Sequence, residues 1–209
     1  MKRFAILITV FLMLLLSVTA HAVNYDEGID YKAIHPAQST DDPSRVEVVE
    51  VFWYGCPHCY RFEPVLGPWV KALPKDVDFK RRPAVFRPVW ELHARAYFTA
   101  SILDEVENTH ASFFHKMHVE NKTLNTLDKL TTFYASKGID KDLFKKTFNS
   151  FVVNTKVARA KSVIGKYGIT GVPSVVVEGK YLVTGGMAGS HENMLSIIDF
   201  LIAKERAKK

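Results

Sequence analysis

Residues 52–64 read FWYGCPHCYRFEP and contain the only two cysteines of the chain, Cys56 and Cys59. If this motif begins a helix, the two sulfur atoms can meet with little movement of the backbone. The N-terminus of a helix carries a partial positive charge and unpaired N–H groups, which favour a thiolate at the first cysteine. We therefore interpret the pair as redox-active, with Cys56 exposed and Cys59 shielded one turn inside the helix.

The two residues between the cysteines suit the same interpretation. Proline fits the first turn of a helix, where its missing N–H group removes no hydrogen bond. His58 adds a hydrogen-bond donor beside the Cys56 thiolate and, when protonated, a positive charge. We expect Pro57 to help to begin the helix and His58 to lower the pKa of Cys56.

Three other roles for the cysteines fit the sequence less well. A structural zinc site normally has four protein ligands, and beyond the two thiols only His115 and His118 show a paired spacing. A stabilising disulfide that closes so short a loop contributes only about 2 kcal/mol in the chain-entropy model. Two buried free thiols are uncommon in an oxidising compartment. We therefore predict no metal ligands.

The first 22 residues have the three-part layout of a secretory signal. Lys2 and Arg3 precede an apolar run over residues 4–18, and Ala20-His21-Ala22 supplies the small residues that signal peptidase recognises. The run is shorter than the roughly 20 apolar residues of a membrane span, although an uncleaved anchor is the alternative. We predict cleavage after Ala22 and a mature protein in the bacterial periplasm, where disulfides persist.

The charge balance does not indicate a nucleic-acid-binding protein. The 28 Lys and Arg residues outnumber the 22 Asp and Glu residues, which gives +6, and loss of two cations with the signal lowers this to +4. The basic clusters at residues 80–82 and 204–209 are short, whereas nucleic-acid-binding proteins have long basic stripes or a recognisable module. We interpret these clusters as solvated surface.

Hydrophobic periodicity predicts an α/β unit interrupted by helices. Residues 46–54 are rich in β-branched and aromatic residues, which favours a strand buried on both faces. A helix over 60–73, a strand over 77–85 and a terminal strand pair at 174–177 and 181–184 are also predicted. Apolar residues recur at helical spacing at 90–106, 112–119, 127–136, 143–151, 155–167 and, after a cap at Ser190, up to residue 203.

These features together resemble the DsbA family of the thioredoxin superfamily. The resemblance lies in the signal peptide, Glu50-Val51-Phe52 before CPHC, the motif itself, the helical insertion, and Gly171-Val172-Pro173 before a hairpin strand. Residues 25–31 also resemble the N-terminal strand of the family. Gly55 departs from the pattern, because well-known members carry a bulky aromatic residue before the first cysteine. The implied fold is a thioredoxin fold at 23–88 and 156–209, with an all-helical insertion at 89–155.

The resemblance also implies roles for residues outside the motif. The Val172–Pro173 bond is expected to be cis and to lie against the cysteine pair, with the Val172 backbone offered to an extended substrate. Glu50 is expected to be a buried acid beneath Cys59 that transfers its proton, since an acid in so apolar a strand is costly unless it is used. Arg81, or else Lys80, is expected to provide the counter-charge.

The activity that the resemblance implies is periplasmic oxidation of protein thiols. A substrate thiolate would attack the Cys56–Cys59 disulfide and form a mixed disulfide, and no cofactor beyond this disulfide is implied. The implied partners are secreted proteins with free cysteines and a DsbB-like, quinone-linked membrane oxidase that reoxidises the pair. A monomer is expected.

Two alternatives remain open at the level of sequence. The nearest is a disulfide reductase or isomerase on the same fold. Known isomerases have a separate dimerisation module, for which residues 23–45 are too few, and they often carry threonine where this chain has Val172. The second alternative is a peptide-binding chaperone whose cysteines are incidental.

Overall fold

The computed structural model describes residues 24–209, so the predicted signal segment at 1–22 lies outside the described residues. Within them, five strands form one mixed sheet. The strands are β1 (Lys32–Ala33), β2 (Val46–Phe52), β3 (Val77–Pro83), β4 (Ser174–Val177) and β5 (Tyr181–Thr184). They lie in the order β1-β5-β4-β2-β3, in which β2 and β3 are parallel and the other pairs antiparallel.

Strand β2 is the interior strand that leads into the cysteine motif. All seven of its residues are buried, including Glu47 and Glu50, which confirms the prediction of a strand covered on both faces. Glu50 pairs in register with Arg81 on β3 and with Val175 on β4. This register places a buried carboxyl and a guanidinium side by side, directly below the helix that follows β2.

Eight helices accompany the sheet within the described part of the chain. They are α1 (Pro57–Ala72), α2 (Pro88–Ile102), α3 (Val106–His118), α4 (Leu127–Ala135), α5 (Lys141–Phe148), α6 (Phe151–Lys166), α7 (Gly185–Ala188) and α8 (His191–Arg206). Hydroxyl or carboxylate side chains cap four of the longer ones, because each accepts a backbone N–H that the first helical turn leaves unpaired. These caps are Thr126, Asp140, Ser150 and Ser190. No helix within residues 24–209 is long and apolar enough to cross a membrane.

Several sequence-based boundaries were wrong, and the predicted helix 90–106 already ends at Ile102. The predicted strand at 25–31 is a turn in which Gly28 has a φ of +90° and donates its N–H to the Tyr31 carbonyl, so the paired strand is delayed to β1. Helix α3 begins at Val106, six residues before the predicted start at residue 112. The predicted helix 143–151 is broken at Ser150, whose extended backbone and side chain cap α6. Helix α6 then continues without a break across residues 155 and 156.

Two large apolar clusters lie at the cysteine motif, and the second of them contains both cysteines. One packs α1 and α8 against the sheet, through side chains such as Phe62, Leu66 and Ile198. The other is mainly aromatic and joins the end of β2 to the helices α2–α5. Each large side chain fully removed from water contributes roughly 1.5–3 kcal/mol. Cys56 and Cys59 belong to the aromatic cluster, so the helices between β3 and β4 form one wall of the site.

Candidate active site

Cys56 is the N-cap of α1, and its sulfur faces the unpaired N–H groups of the first turn. Its backbone is extended, with φ −88° and ψ 116°, and Pro57 is the first helical residue, as predicted. The Cys56 sulfur accepts a hydrogen bond from the backbone N–H of Cys59 at 3.4 Å. Both cysteines are thiols in the structure. The site therefore has the helix-terminus geometry that the sequence motif indicated.

The two thiols differ in acidity. The hydrogen bond from the Cys59 side chain, together with the backbone N–H groups of Cys59 and His58, outweighs burial and lowers the pKa of Cys56 to about 6. Burial, followed by the hydrogen bond to Cys56, raises the pKa of Cys59. At neutral pH the stable reduced form is thus a Cys56 thiolate beside a Cys59 thiol.

Cys56 is less exposed than the sequence predicted. Its exposed fraction is 7%, against 0% for Cys59, so the order of the two is right but the first cysteine is itself buried. The cause is the loop before β4, because the Cys56 sulfur lies 3.4 Å from the Val172 carbonyl oxygen. The Val172–Pro173 peptide bond is cis, which confirms the expectation.

A groove of about 750 Å³ opens beside the loop before β4, next to the cysteine motif. It is lined by His58, by residues 170–174, and by the segments 184–186 and 189–192 around α7 and the start of α8. His58 is exposed there, and its Nδ1 lies 3.0 Å from Arg61 Nη2. The backbone N–H of His58 lowers the pKa of Cys56 more than the charge of its ring does.

Glu50 lies at the base of the site and is fully buried. Its Oε2 accepts a hydrogen bond from Arg81 Nε at 3.0 Å, while its Oε1 has no partner among the described residues. Burial and then the negative charge of Glu63 raise the pKa of Glu50 to about 8, against the opposing effect of Arg81. The charge of Glu50 in turn contributes to the raised pKa of Cys59. Arg81 is therefore the counter-charge.

The alternative counter-charge, Lys80, points elsewhere. Its Nζ contacts carboxylates of Asp41, Glu47 and Asp78. Alternation along β3 explains this, because neighbouring side chains on a strand point to opposite faces of the sheet. The prediction for Lys80 was wrong.

The glycine before the first cysteine is explained by Trp53. A Cβ atom at Gly55 would lie 2.3 Å from the Trp53 ring. That ring stacks on Trp90 of α2, with centroids 4.1 Å apart and planes 8° from parallel. The aromatic bulk beside the motif is thus supplied by this stacked pair, and no side chain fits at residue 55 unless the ring moves.

Sequence reasoning missed Glu63 and His110, which lie next to Arg81. Glu63 Oε2 accepts from Arg81 Nη2 at 3.2 Å, and Glu63 Oε1 lies 3.2 Å from His110 Nε2. Glu63 follows Cys59 by four residues, so helical spacing alone could have placed it on the same face. His110 comes from α3, and no local pattern connects it to the motif. Within residues 24–209, no group of three or more His, Cys, Asp or Glu side chains is arranged to hold a metal.

Comparison with known sequences identifies the family. The profile of a family described as "DSBA-like thioredoxin domain" matches residues 90–193. The thiol:disulfide interchange protein DsbA of Pseudomonas aeruginosa is 41% identical over 193 residues, which cover 92% of each chain. This chain belongs to the DsbA family. The DsbA of Burkholderia cepacia is 36% identical over 183 residues, covering 87% of this chain and 86% of that relative.

Solved structures of the DsbA family share the fold. The crystal structure of P. aeruginosa DsbA superposes with a TM-score of 0.84 at 42% identity, covering 88% of this chain and 96% of that one. The oxidoreductase DsbA from Xylella fastidiosa gives a TM-score of 0.82 at 35% identity, with coverages of 90% and 100%. The chain therefore has the thioredoxin fold of DsbA and is a protein thiol:disulfide oxidase. Proteins of this family act through a redox-active disulfide and need no cofactor.

Proposed function

We propose that Cys56 and Cys59 form the disulfide that this oxidase passes to newly secreted proteins. A substrate thiolate attacks the Cys56 sulfur, the Cys56–Cys59 bond breaks, and its electron pair stays on Cys59. A second substrate thiolate then attacks the substrate sulfur of the mixed disulfide, and Cys56 leaves as a thiolate. The observation that supports these roles is the contrast between the lowered pKa of Cys56 and the raised pKa of Cys59.

The neighbouring residues have supporting roles in this proposal. Pro57 begins α1 so that its N-terminus meets the Cys56 sulfur, and His58 stabilises the thiolate, chiefly through its backbone N–H. Val172 and Pro173 form the wall on which an extended substrate segment lies beside Cys56, at the edge of the groove. Glu50 supplies the proton that the buried Cys59 thiolate needs when the disulfide opens, because an unprotonated thiolate there is costly.

The energetics favour donation of the disulfide. Only the reduced form has a Cys56 thiolate to stabilise, and a pKa of about 6 stabilises that form at pH 7 by about 1.4 kcal/mol. For a two-electron couple this corresponds to about 30 mV toward a more oxidising pair. A reductase would need a less stabilised thiolate and hence a lower reduction potential.

The cellular setting and the domain division complete the proposal. The N-terminal segment supports secretion into the periplasm, and an oxidase that gives away its disulfide needs an external acceptor of two electrons. We place a DsbB-like, quinone-linked membrane oxidase in that role and describe the working form as a monomer. Residues 23–88 and 156–209 form the thioredoxin-like unit, and 89–155 the insertion, since only helices lie between β3 and β4.

Trapping of mixed disulfides tests the two cysteine roles. In Cys59→Ala the Cys56 thiolate can still attack a disulfide of a secreted protein, and one sulfur of that disulfide leaves as a thiolate. The Cys59 thiol that would reverse this step by attacking Cys56 is absent, so mixed disulfides should accumulate on acid-quenched, non-reducing gels. Cys56→Ala is the matched control and should trap few partners, because Cys59 is buried and its pKa is raised. Equal trapping by the two variants, or faster alkylation of Cys59 than of Cys56 in the reduced protein, would show that the roles are wrong.

A further inference from the structure

A chain of hydrogen bonds leads from the aromatic cluster to the buried carboxyl group of Glu50, and the reaction proposed above leaves most of it unused. Tyr54 Oη lies 2.9 Å from His110 Nδ1, and His110 Nε2 lies 3.2 Å from Glu63 Oε1. Glu63 Oε2 accepts from Arg81 Nη2 at 3.2 Å, and Arg81 Nε donates to Glu50 at 3.0 Å. The exposed side-chain fractions are 7% for His110 and 18% for Glu63, so the chain is largely shielded from water.

The direction of each hydrogen bond follows from the chemistry of the groups. An ionised carboxylate can only accept, so His110 Nε2 must carry the proton that points at Glu63. Nδ1 is then the acceptor for the Tyr54 hydroxyl, whose pKa burial raises well above its usual value. Burial also lowers the pKa of His110, although Glu63 opposes the shift. His110 is therefore a neutral ring held by Tyr54 with its N–H aimed at Glu63.

The buried Glu50 and the half-buried Glu63 share one guanidinium, and only one of the two acids has a second donor. Glu63 accepts from both Arg81 and His110, whereas Glu50 accepts from Arg81 alone and has an unpartnered Oε1. Burial raises the pKa of Glu63, but the hydrogen bond from His110 and the hydrogen bond and positive charge of Arg81 outweigh it, and the net pKa is lowered. One cation balances one anion, so the acid with two donors takes the charge and the other keeps its proton.

The groups that face Glu50 come from every element packed around it. Strand β4 contributes the apolar Val175, and α2 contributes Tyr97, whose hydroxyl donates to the Arg81 carbonyl oxygen at 3.3 Å. The charged and titratable neighbours are Cys59 and Glu63 on α1, Arg81 on β3 and Tyr97 on α2. From α3, His110 connects to this set through Glu63, and the charge of Glu107 acts on His110 and Tyr97. Among these, His110 is the neutral donor that bonds one acid and not the other.

We propose that His110 is a positioning residue for the thiol–disulfide reaction: its N–H assigns the negative charge to Glu63 and thereby keeps the proton on Glu50. This inference rests on the proposed role of Glu50. When the Cys56–Cys59 bond opens, the electron pair left on Cys59 takes the Glu50 proton, an S–H bond forms, and the resulting Glu50 carboxylate still accepts the hydrogen bond from Arg81 Nε. During reoxidation the same proton returns from Cys59 to Glu50.

Two variants of similar size separate the hydrogen bond from mere packing. In His110→Gln the amide N–H can reach the position of Nε2 and still donate to Glu63. In His110→Asn the shorter amide reaches only the position of Nδ1, so the donor to Glu63 is lost. The carboxyl carbons of Glu50 and Glu63 can be titrated by NMR in the reduced protein, with Glu50→Gln and Glu63→Gln providing the assignments.

The wild-type protein should show Glu63 ionising at lower pH than Glu50. In His110→Asn the titration of Glu63 should move up and that of Glu50 down, each by about one to two pH units, the size expected for loss of a hydrogen bond to a charged group. His110→Gln should restore the wild-type order. The pH midpoint for reduction of the enzyme disulfide by glutathione should move with that of Glu50.

Each remaining outcome decides against the inference. Unchanged titrations in His110→Asn, shifts of both carboxyls in the same direction, or an equal response of the Gln variant would show that His110 only fills space. The inference is also wrong if, in the wild-type protein, Glu50 ionises at a lower pH than Glu63. A different result would affect only the proposed role of Glu50. If the two carboxyls exchange their order of ionisation in His110→Asn, but the disulfide of Glu50→Gln is reduced at the wild-type rate at every pH, then Glu50 takes no part in the reaction and the charge assignment still holds.

Discussion

The lowered pKa of Cys56 predicts a specific pH dependence of stability in the reduced protein. The folded value is about 6 against an ordinary value of 9.0, so the unfolded chain binds more protons between these limits. By linkage, the stabilisation is complete above about pH 9 and is lost as the pH falls through about 6. It should amount to about 1.4 kcal/mol at pH 7, about 2.7 kcal/mol at pH 8, and almost nothing at pH 5.

Urea unfolding under excess dithiol can measure this contribution when wild type is compared with Cys56→Ser. Serine keeps a small polar side chain at the N-cap but does not ionise in this range. The free energy of unfolding of wild type minus that of the variant should rise by about 1.0 kcal/mol between pH 6 and 7 and by about 1.3 kcal/mol between pH 7 and 8. Glu50 acts in the opposite sense, because its raised pKa makes the folded state lose stability as the pH rises from about 4.5 to about 8, but this affects both proteins alike.

The same comparison identifies the source of the shift. The Cys59 side chain makes the largest contribution to the lowered pKa. In Cys59→Ala the pH-dependent difference should therefore begin at a higher pH than in wild type. A difference between wild type and Cys56→Ser that is flat from pH 5 to 8 would refute the reasoning, since a thiolate stabilised by folding must titrate in this way.

Two further predictions concern residues beside the site. Gly55→Ala should lower the free energy of unfolding by about 1–3 kcal/mol, the usual cost of overpacking, because its Cβ would lie 2.3 Å from the Trp53 ring. Urea unfolding can measure this loss for Gly55→Ala in the wild-type protein and in the Trp53→Ala variant. An equal loss in both backgrounds would rule out the clash. Burial lowers the pKa of His93 to about 4, although its hydrogen bond to the Leu124 backbone opposes the shift. The folded state should therefore lose about 3 kcal/mol of stability as the pH falls from 6.5 to 4. In His93→Gln this loss of stability between pH 6.5 and 4 should largely disappear, as measured by urea unfolding. An identical pH profile for variant and wild type would exclude His93 as the source of the loss.

The sequence predicted the parts of the site that depend on local geometry. The N-cap position of Cys56, the place of Pro57 in the first turn, and the buried strand beneath them all follow from short-range patterns, and the structure has each of them. The pairing of Glu50 with Arg81 could be anticipated because it requires only two adjacent strands and a buried charge that needs a partner.

What the sequence did not predict depends on contacts between distant segments. His110 lies 47 residues from Glu63 along the chain, and only the packing of α3 against α1 brings them together. The near-complete burial of Cys56 likewise results from Val172, 116 residues away. The N-terminal strand was misplaced for a local reason, since Gly28 permits a left-handed turn that the pattern of residues 25–31 conceals.

The two cysteines are free thiols in a folded and packed structure, and this has a consequence for how the protein itself matures. An enzyme that supplies crosslinks to others would face a circular problem if its own maturation required one. Here the sheet, both apolar clusters and the hydrogen bonds around Cys56 are in place without any crosslink, and the chain contains no third cysteine with which to form a wrong pair. The packed core and the hydrogen bond to the Cys56 sulfur therefore do not depend on a crosslink, so this fold does not require prior oxidation by another enzyme.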